Sequence, residues 1–228
     1  MGEYRLTDLV YRNPLGVASD VSGFRLEGDA AISFPQGRLR MENRRDPAEG
    51  QKANFVFWCP EDLPADICVS WDVWPIREPG LCILFFAATG IHGEDLFDPQ
   101  LAPRTGEYHT YHHGEIHAFH ISYFRRKHPQ ERAFHTCNLR KSYGFHMVAR
   151  GADPLPSVQD ALPPYHIQLC KCGPEVTFTI SDLPVLDWID DGQTYGPLLG
   201  GGKIGFRQMA PLIAEYANLQ VHAVEKTK

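Results

Sequence analysis

A chain of 228 residues, 43 % hydrophobic and 22 % charged, can bury a sizeable core and falls within the size range of one all-β domain. Its formal charge of −6 argues against nucleic acid as a partner. No stretch approaches the roughly 18–20 apolar residues that span a bilayer, so no membrane partner is expected.

The first residues, MGEYRLTDLVYRN, lack a basic region followed by an apolar one, so no secretory signal is expected and the reading is cytoplasmic. Phe24–Leu26 and Ala30–Phe34 alternate about the turn dipeptide Gly28-Asp29, and Arg38–Met41 follows Gly37. Asn54–Trp58 places Phe55 and Phe57 on one face. Ile67–Ile76 places Ile67, Val69, Trp71 and Val73 on one side. Leu81–Thr89 is apolar on both faces, as a central covered strand should be. Glu115–Arg126 reads as a long strand, and Phe145–Ala149 as another. Tyr165–Cys172 turns at Gly173-Pro174 into Glu175–Ser181, whose Val176, Phe178 and Ile180 share an apolar face. Lys203–Met209 and Leu219–Val224 complete the series, with Pro211–Ala217 read as a short turn or a strand edge.

Helical periodicity of useful length is absent, and there is no repeat, linker or low-complexity segment. Residues 1–228 therefore read as one domain, an all-β antiparallel two-sheet sandwich. Six cysteines, Cys59, Cys68, Cys82, Cys137, Cys170 and Cys172, follow no CxxC pairing, and buried free thiols are the expectation over a disulfide framework or a zinc site.

The C-terminal third runs EVTFTISDLPVLDWIDDG, YGPLLGGGKIGFRQM and YANLQVHAV, which resembles concanavalin A-like lectin and glucanase domains. GEIHAFHISYFRR and NLRKSYGFHMVARGADPLP resemble more narrowly the YesU-like family, a domain of unknown function, over most of the chain from about Asn54. The resemblance implies a concanavalin A-like jelly roll and a connection with bacterial breakdown of plant-type polysaccharides, acidic pectic ones included. It implies no mechanism.

Chemistry-bearing side chains concentrate on Glu115–Arg126. Alternation groups Glu115, His117, Phe119, Ile121, Tyr123 and Arg125 on one face, and Ile116, Ala118, His120, Ser122, Phe124 and Arg126 on the other. The first set looks like the working surface, and the second stays open. Five histidines lie between His109 and His120, but residues four apart on a strand are about 13 Å apart, too far to share an ion. No metal and no cofactor are expected. Asn138, Arg140 and Lys141, with His146 and Arg150 nearby, form a basic segment in a region with a local excess of six positive charges. That equipment suits the carboxylate of an acidic sugar. Trp188, in LDWIDDG, reads as the tryptophan nearest an exposed loop and a stacking candidate.

These residues frame three functions for a small acidic oligosaccharide. A β-elimination would use Arg125, Arg140 or Asn138 against the carboxylate, His117 or His120 as base and Tyr123 as acid, with Arg126 a further substrate-binding candidate. Glycoside hydrolysis needs paired carboxyls, and the candidates, Glu115, Asp153 and Glu215, have no spacing that pairs them. Binding without chemistry would use the same groove. The lyase is the leading expectation, and a homodimer is left open.

Overall fold

The computed structural model describes residues 4–227. Fifteen strands are present among them: β1 (Tyr4–Asn13), β2 (Arg25–Glu27), β3 (Ala30–Ser33), β4 (Leu39–Asn43), β5 (Phe55–Trp58), β6 (Ile67–Arg77), β7 (Leu81–Gly90), β8 (Ile116–Tyr123), β9 (Thr136–Ser142), β10 (His146–Ala152), β11 (Tyr165–Cys172), β12 (Glu175–Ile180), β13 (Leu183–Ile189), β14 (Lys203–Met209) and β15 (Ile213–Lys226). Two short helices, α1 (His109–His112) and α2 (Pro129–Ala133), lie between strands. The first sheet has the order β13-β12-β11-β6-β15-β4-β3, with β1 also paired to β15; the second is β10-β9-β8-β7-β14-β5-β2. All the pairings are antiparallel.

Period-two alternation aims one face of each strand into the space between the sheets. Val69, Trp71 and Val73 of β6 meet Leu84 and Phe86 of β7, Phe119, Ile121 and Tyr123 of β8, and Ile204 and Phe206 of β14. Trp71 donates its indole N–H to the Tyr123 hydroxyl at 3.2 Å and sits edge-on to Phe206 at 5.7 Å. Burying one such ring contributes about 2–3 kcal/mol. The opposite face of the second sheet is apolar as well: Val56, Trp58, Leu81, Ile83, Phe85 and Tyr111 form a separate cluster. That second layer explains the unbroken apolar run of β7, which the 91–115 segment covers.

The fold departs from the sequence expectations at four places. Gly28-Asp29 does not close a hairpin: β2 pairs with β5 in the second sheet and β3 with β4 in the first, so the chain changes sheets there. Gly28 has φ +98°, and a Cβ would meet the Asn54 carbonyl oxygen at 2.7 Å, so the crossing requires glycine. Residues 213–217, read as a short turn or a strand edge, are strand, and they lie in the interior of the sheet where β15 pairs with both β4 and β6. The strand expected over Glu115–Arg126 ends at Tyr123, because Phe124 takes a positive φ of 47° and reverses the alternation. Lastly, Cys68 and Cys170 face each other in the β6–β11 register and form a disulfide. Cys59, Cys82 and Cys137 are buried free thiols, and the free Cys172 is half-buried. Among the described residues no helix is long and apolar enough to cross a membrane.

Past Phe124, Arg126 turns inward. It is 1 % exposed and donates to Asp153 at 3.1 Å and to the Leu155 carbonyl. Asp153→Ala strands this guanidinium without a counter-charge and should cost about 3–5 kcal/mol. Urea unfolding followed by tryptophan fluorescence measures it, and a loss below about 1 kcal/mol would mark the pair as solvent-screened.

Candidate functional site

Two rows of side chains cross the outer face of the second sheet. One runs through the paired positions Arg140, His120, Phe85, Gly205 and Trp58, and the next through Asn138, Ser122, Ile83, Arg207 and Val56. Gly205 is needed in the first row because a Cβ there would meet the Trp58 ring at 2.4 Å. The first row thus grades from apolar at Trp58 to basic at Arg140, while the second sets Arg207 between Val56 and Ile83 and ends in polar Ser122 and Asn138.

The segment between β7 and β8 folds over the apolar end. Glu27, 4 % exposed, fastens it by accepting from the Trp58 indole N–H at 2.8 Å, the Tyr111 hydroxyl at 2.9 Å and Arg104 at 2.7 Å. This clamp holds Tyr108, one turn ahead of Tyr111, over the sheet. Arg207, 0 % exposed, lies beneath, 4.9 Å from the Tyr108 ring centre and 5.6 Å from that of Tyr111. It donates to the Gly106 carbonyl and, at 3.1 Å, to Gln51 Oε1.

What remains open is a hollow of about 210 Å³ lined by Tyr108, Ser122, Arg125, Asn138, Arg140 and Phe145, with Glu131 and Gln51 at its margins. Arg140 stacks its guanidinium 3.7 Å over Phe145 and donates to that residue's carbonyl at 3.1 Å. Arg125 is engaged with Glu131 at 2.6 Å and with Thr136 at 2.8 Å. Among the described residues, neither Arg140 nor Arg207 has a carboxylate partner. Burial lowers the pKa of both guanidiniums; Arg140 at the lining and Arg207 enclosed beneath Tyr108 together favour an anion in the hollow.

The wall behind Tyr108 is His120. It is 1 % exposed, its ring packs against Phe85, Tyr108 and Phe145, and neither ring nitrogen has a hydrogen-bond partner among the described residues. Burial, followed by the charges of Arg140, His112 and Arg207, holds its pKa well below the usual imidazole range, so it is neutral at physiological pH. His112 moves the same way, to about 4, through burial and its neighbours His113 and His109. Burial pushes the Tyr108 phenol up to about 12, against the pull of Arg207, Arg140 and Arg125.

The structure therefore brings Arg125, Asn138 and Arg140 to the hollow and sets His120 behind Tyr108, outside its lining. The face of β8 that opens to the hollow is the one carrying His120 and Ser122. Arg125 joins it only because the backbone reverses at Phe124. The other candidates lie elsewhere. Tyr123 is sealed between the sheets, and burial raises its pKa well above the phenolic range. Arg126 is committed to Asp153. Lys141, on the opposite face of β9 from Arg140, donates to Asp190 at 2.6 Å and to two carbonyls. Trp188 is not on an exposed loop; it lies on β13, edge-on to Phe119 at 5.8 Å. Glu115 accepts from the Ala102 N–H at 2.7 Å, and His117 and His146 line a different recess. Tyr108, Phe145, Gln51 and Arg207 escaped the sequence reading. For Arg207 a signal existed, a cation inside an otherwise buried strand. For Tyr108 there was none, because the 91–115 segment has no periodicity. Among the described residues, no cluster of three or more His, Cys, Asp or Glu is placed to hold a metal ion.

A family model described as a domain of unknown function, DUF1961, matches residues 8–221. The chain belongs to the DUF1961 family. It is 57 % identical to the uncharacterized protein YesU of Bacillus subtilis (strain 168) over 219 residues, 96 % of this chain and 97 % of that one. A crystal structure of a Bacillus subtilis protein of unknown function with a galectin-like fold is 55 % identical, covers 99 % of this chain and 100 % of its own, and superposes with a TM-score of 0.95. The metal-free lectin I-B4 of Griffonia simplicifolia shares the fold at 10 % identity, with a TM-score of 0.61 over 94 % of this chain and 98 % of the lectin. The DUF1961 chain is thus a YesU-like protein with the concanavalin A-like jelly roll that its C-terminal segments led us to expect.

An imidazole kept neutral by burial costs stability once the unfolded chain takes up a proton. The usual value is 6.5, so native stability should fall as the pH drops below it. Each such group contributes up to about 1.4 kcal/mol per pH unit until the folded-state pKa is reached. His120→Phe, which keeps the ring and loses no hydrogen bond, should flatten that slope between pH 7 and pH 5 in chemical denaturation. An unchanged slope would show that His120 charges freely in the folded state.

Proposed function

We propose that the hollow on the second sheet binds a short uronate-containing saccharide and that the protein cleaves it by β-elimination. The observation that carries the binding reading is Arg140, a guanidinium without a carboxylate partner among the described residues, lining a cavity faced by the Tyr108 and Phe145 rings, with the equally unpaired Arg207 buried beneath Tyr108. A carboxylated sugar answers both features: its acid group meets the Arg140 fork, and its C–H face packs on the aromatic rings. The sandwich fold is also that of a carbohydrate-binding module, CBM66 of Bacillus subtilis, at 12 % identity with a TM-score of 0.52, which supports a sugar ligand by analogy of fold.

The catalytic reading rests on Tyr108, which lines the hollow, and on His120, buried directly behind it with the two rings 5.5 Å apart. In the proposed step, Arg140 and Asn138 neutralise the uronate carboxylate, which acidifies the adjacent C–H. Neutral His120 takes that proton. The electron pair passes through an enolate to form a carbon–carbon double bond, and the glycosidic C–O bond on the next carbon breaks. Protonated Tyr108 donates to the departing oxygen. Tyr108 thereby fills the acid role that sequence alone gave to Tyr123. Hydrolysis by paired carboxyls has less support, because Glu131 is the one carboxylate lining the hollow and it is bound to Arg125.

The test combines calorimetry with the ultraviolet absorbance of an unsaturated uronate, using defined oligouronides. Binding with product formation supports both readings. Binding without product reduces the protein to a sugar-binding module, and absence of binding overturns the proposal. Arg140→Ala removes a charge-assisted contact of about 1.5–3 kcal/mol and should weaken binding by roughly ten- to a hundredfold, with the melting temperature little changed.

A further inference from the structure

The hollow ends at the β9–β10 turn, and a second recess lies on the other side of that turn. His117, Tyr143, His146, Thr194 and Tyr195 line about 260 Å³ there. Through His117 and Tyr143 it continues into a more open space bordered by His113 and Glu115. The two sites share a partition. Phe145 faces the hollow and Tyr143 the recess; His112 packs tilted against the first ring at 4.5 Å and His113 edge-on to the second at 5.7 Å.

We propose that this recess is a subsite for a neutral sugar residue, so that the protein's ligand joins an acidic unit in the hollow to a neutral one beyond the turn. The proposal rests on the acidic-saccharide reading for the first unit only. Three observations carry it. The one lysine lining the recess among the described residues is already spent: Lys141, 1 % exposed, gives its three protons to Asp190, Gly196 and Pro197. The recess therefore lacks the free positive charge of the hollow, while the Glu115 carboxylate in the adjoining open space disfavours a second uronate there. His117 is oriented: its Nδ1 accepts the Tyr143 backbone N–H at 3.1 Å, which places the ring proton on Nε2, free to donate. The ring faces are present too, with Tyr143 51 % exposed and Tyr195 packed against His146 at 5.0 Å. Donor and aromatic face without net positive charge are the equipment for an uncharged pyranoside.

The experiment titrates the ¹⁵N-labelled chain with methyl glycosides of neutral hexoses, with methyl glycosides of hexuronic acids, and with disaccharides that join the two classes or repeat the acidic one. Neutral glycosides should shift the amides of His117, Tyr143 and Tyr195 and spare those of Ser122 and Arg140. The mixed disaccharide should bind roughly tenfold or more tightly than either monosaccharide. Tyr143→Ala and Tyr195→Ala should each remove most of that gain and leave hexuronate affinity unchanged. Neutral glycosides that shift nothing at the recess, or an all-acidic disaccharide that binds as well as the mixed one, would overturn the subsite. Failure of hexuronates to bind would sink the reading of the hollow instead, and the neutral-glycoside arm still decides the recess.

Discussion

One buried carboxylate sets the shape of the outer face of the second sheet. Glu27 gathers the indole of Trp58 on β5 and a guanidinium and a phenol from two points of the 91–115 segment. Each of those donors would be costly to leave unpaired away from water. Because they converge on a single acid, the 91–115 segment has one way to lie on the sheet. Tyr108 inherits its position from that constraint, and the hollow exists because Tyr108 is held there. The apolar cluster under the segment supplies area, but it is non-directional. The acid supplies the register.

The electrostatics of the hollow follow from what Glu27 does not reach. Arg104 is satisfied by it, whereas Arg207 is not. Arg207 is enclosed by two tyrosine rings, a carbonyl and an amide, none of which carries a full negative charge. Ring faces offset part of the desolvation cost of a guanidinium, about 2 kcal/mol or more when dry, and leave the rest. A protein that tolerates such a charge beside a half-open cavity has placed a standing preference for anions there. Arg140, stacked on Phe145 and free of acids, extends that preference to the rim.

Much of the fold was legible because strands obey a simple period. The inward faces of β5, β6 and β12 followed from counting by two. Alternation sorts a strand's side chains into two sets without saying which set faces inward, and on β8 both sets are largely apolar. Phe119, Ile121 and Tyr123 are the bulkier, and volume sent them to the core along with the phenol that had been given a catalytic role. The count also fails wherever the backbone reverses, so Arg125 and Arg126 exchanged places at Phe124. Contacts between distant segments left no local trace. Cys68 and Cys170 are 102 residues apart and meet only through strand order, and Tyr108 lies in a stretch with no pattern to read.

Neighbouring residues of β9 serve opposite sides of the sheet. Arg140 looks out over the hollow, and Lys141, reaching the other way, ties down the loop after β13. This strand is consequently a place where chain length is sacrosanct. Deleting or adding one residue ahead of Arg140 would leave composition and net charge almost as they were. It would nevertheless post the planar fork to a socket shaped for an ammonium and the ammonium to a surface built for a fork. Natural variation in this protein should therefore accept exchanges of side chain along β9 far more readily than insertions or deletions.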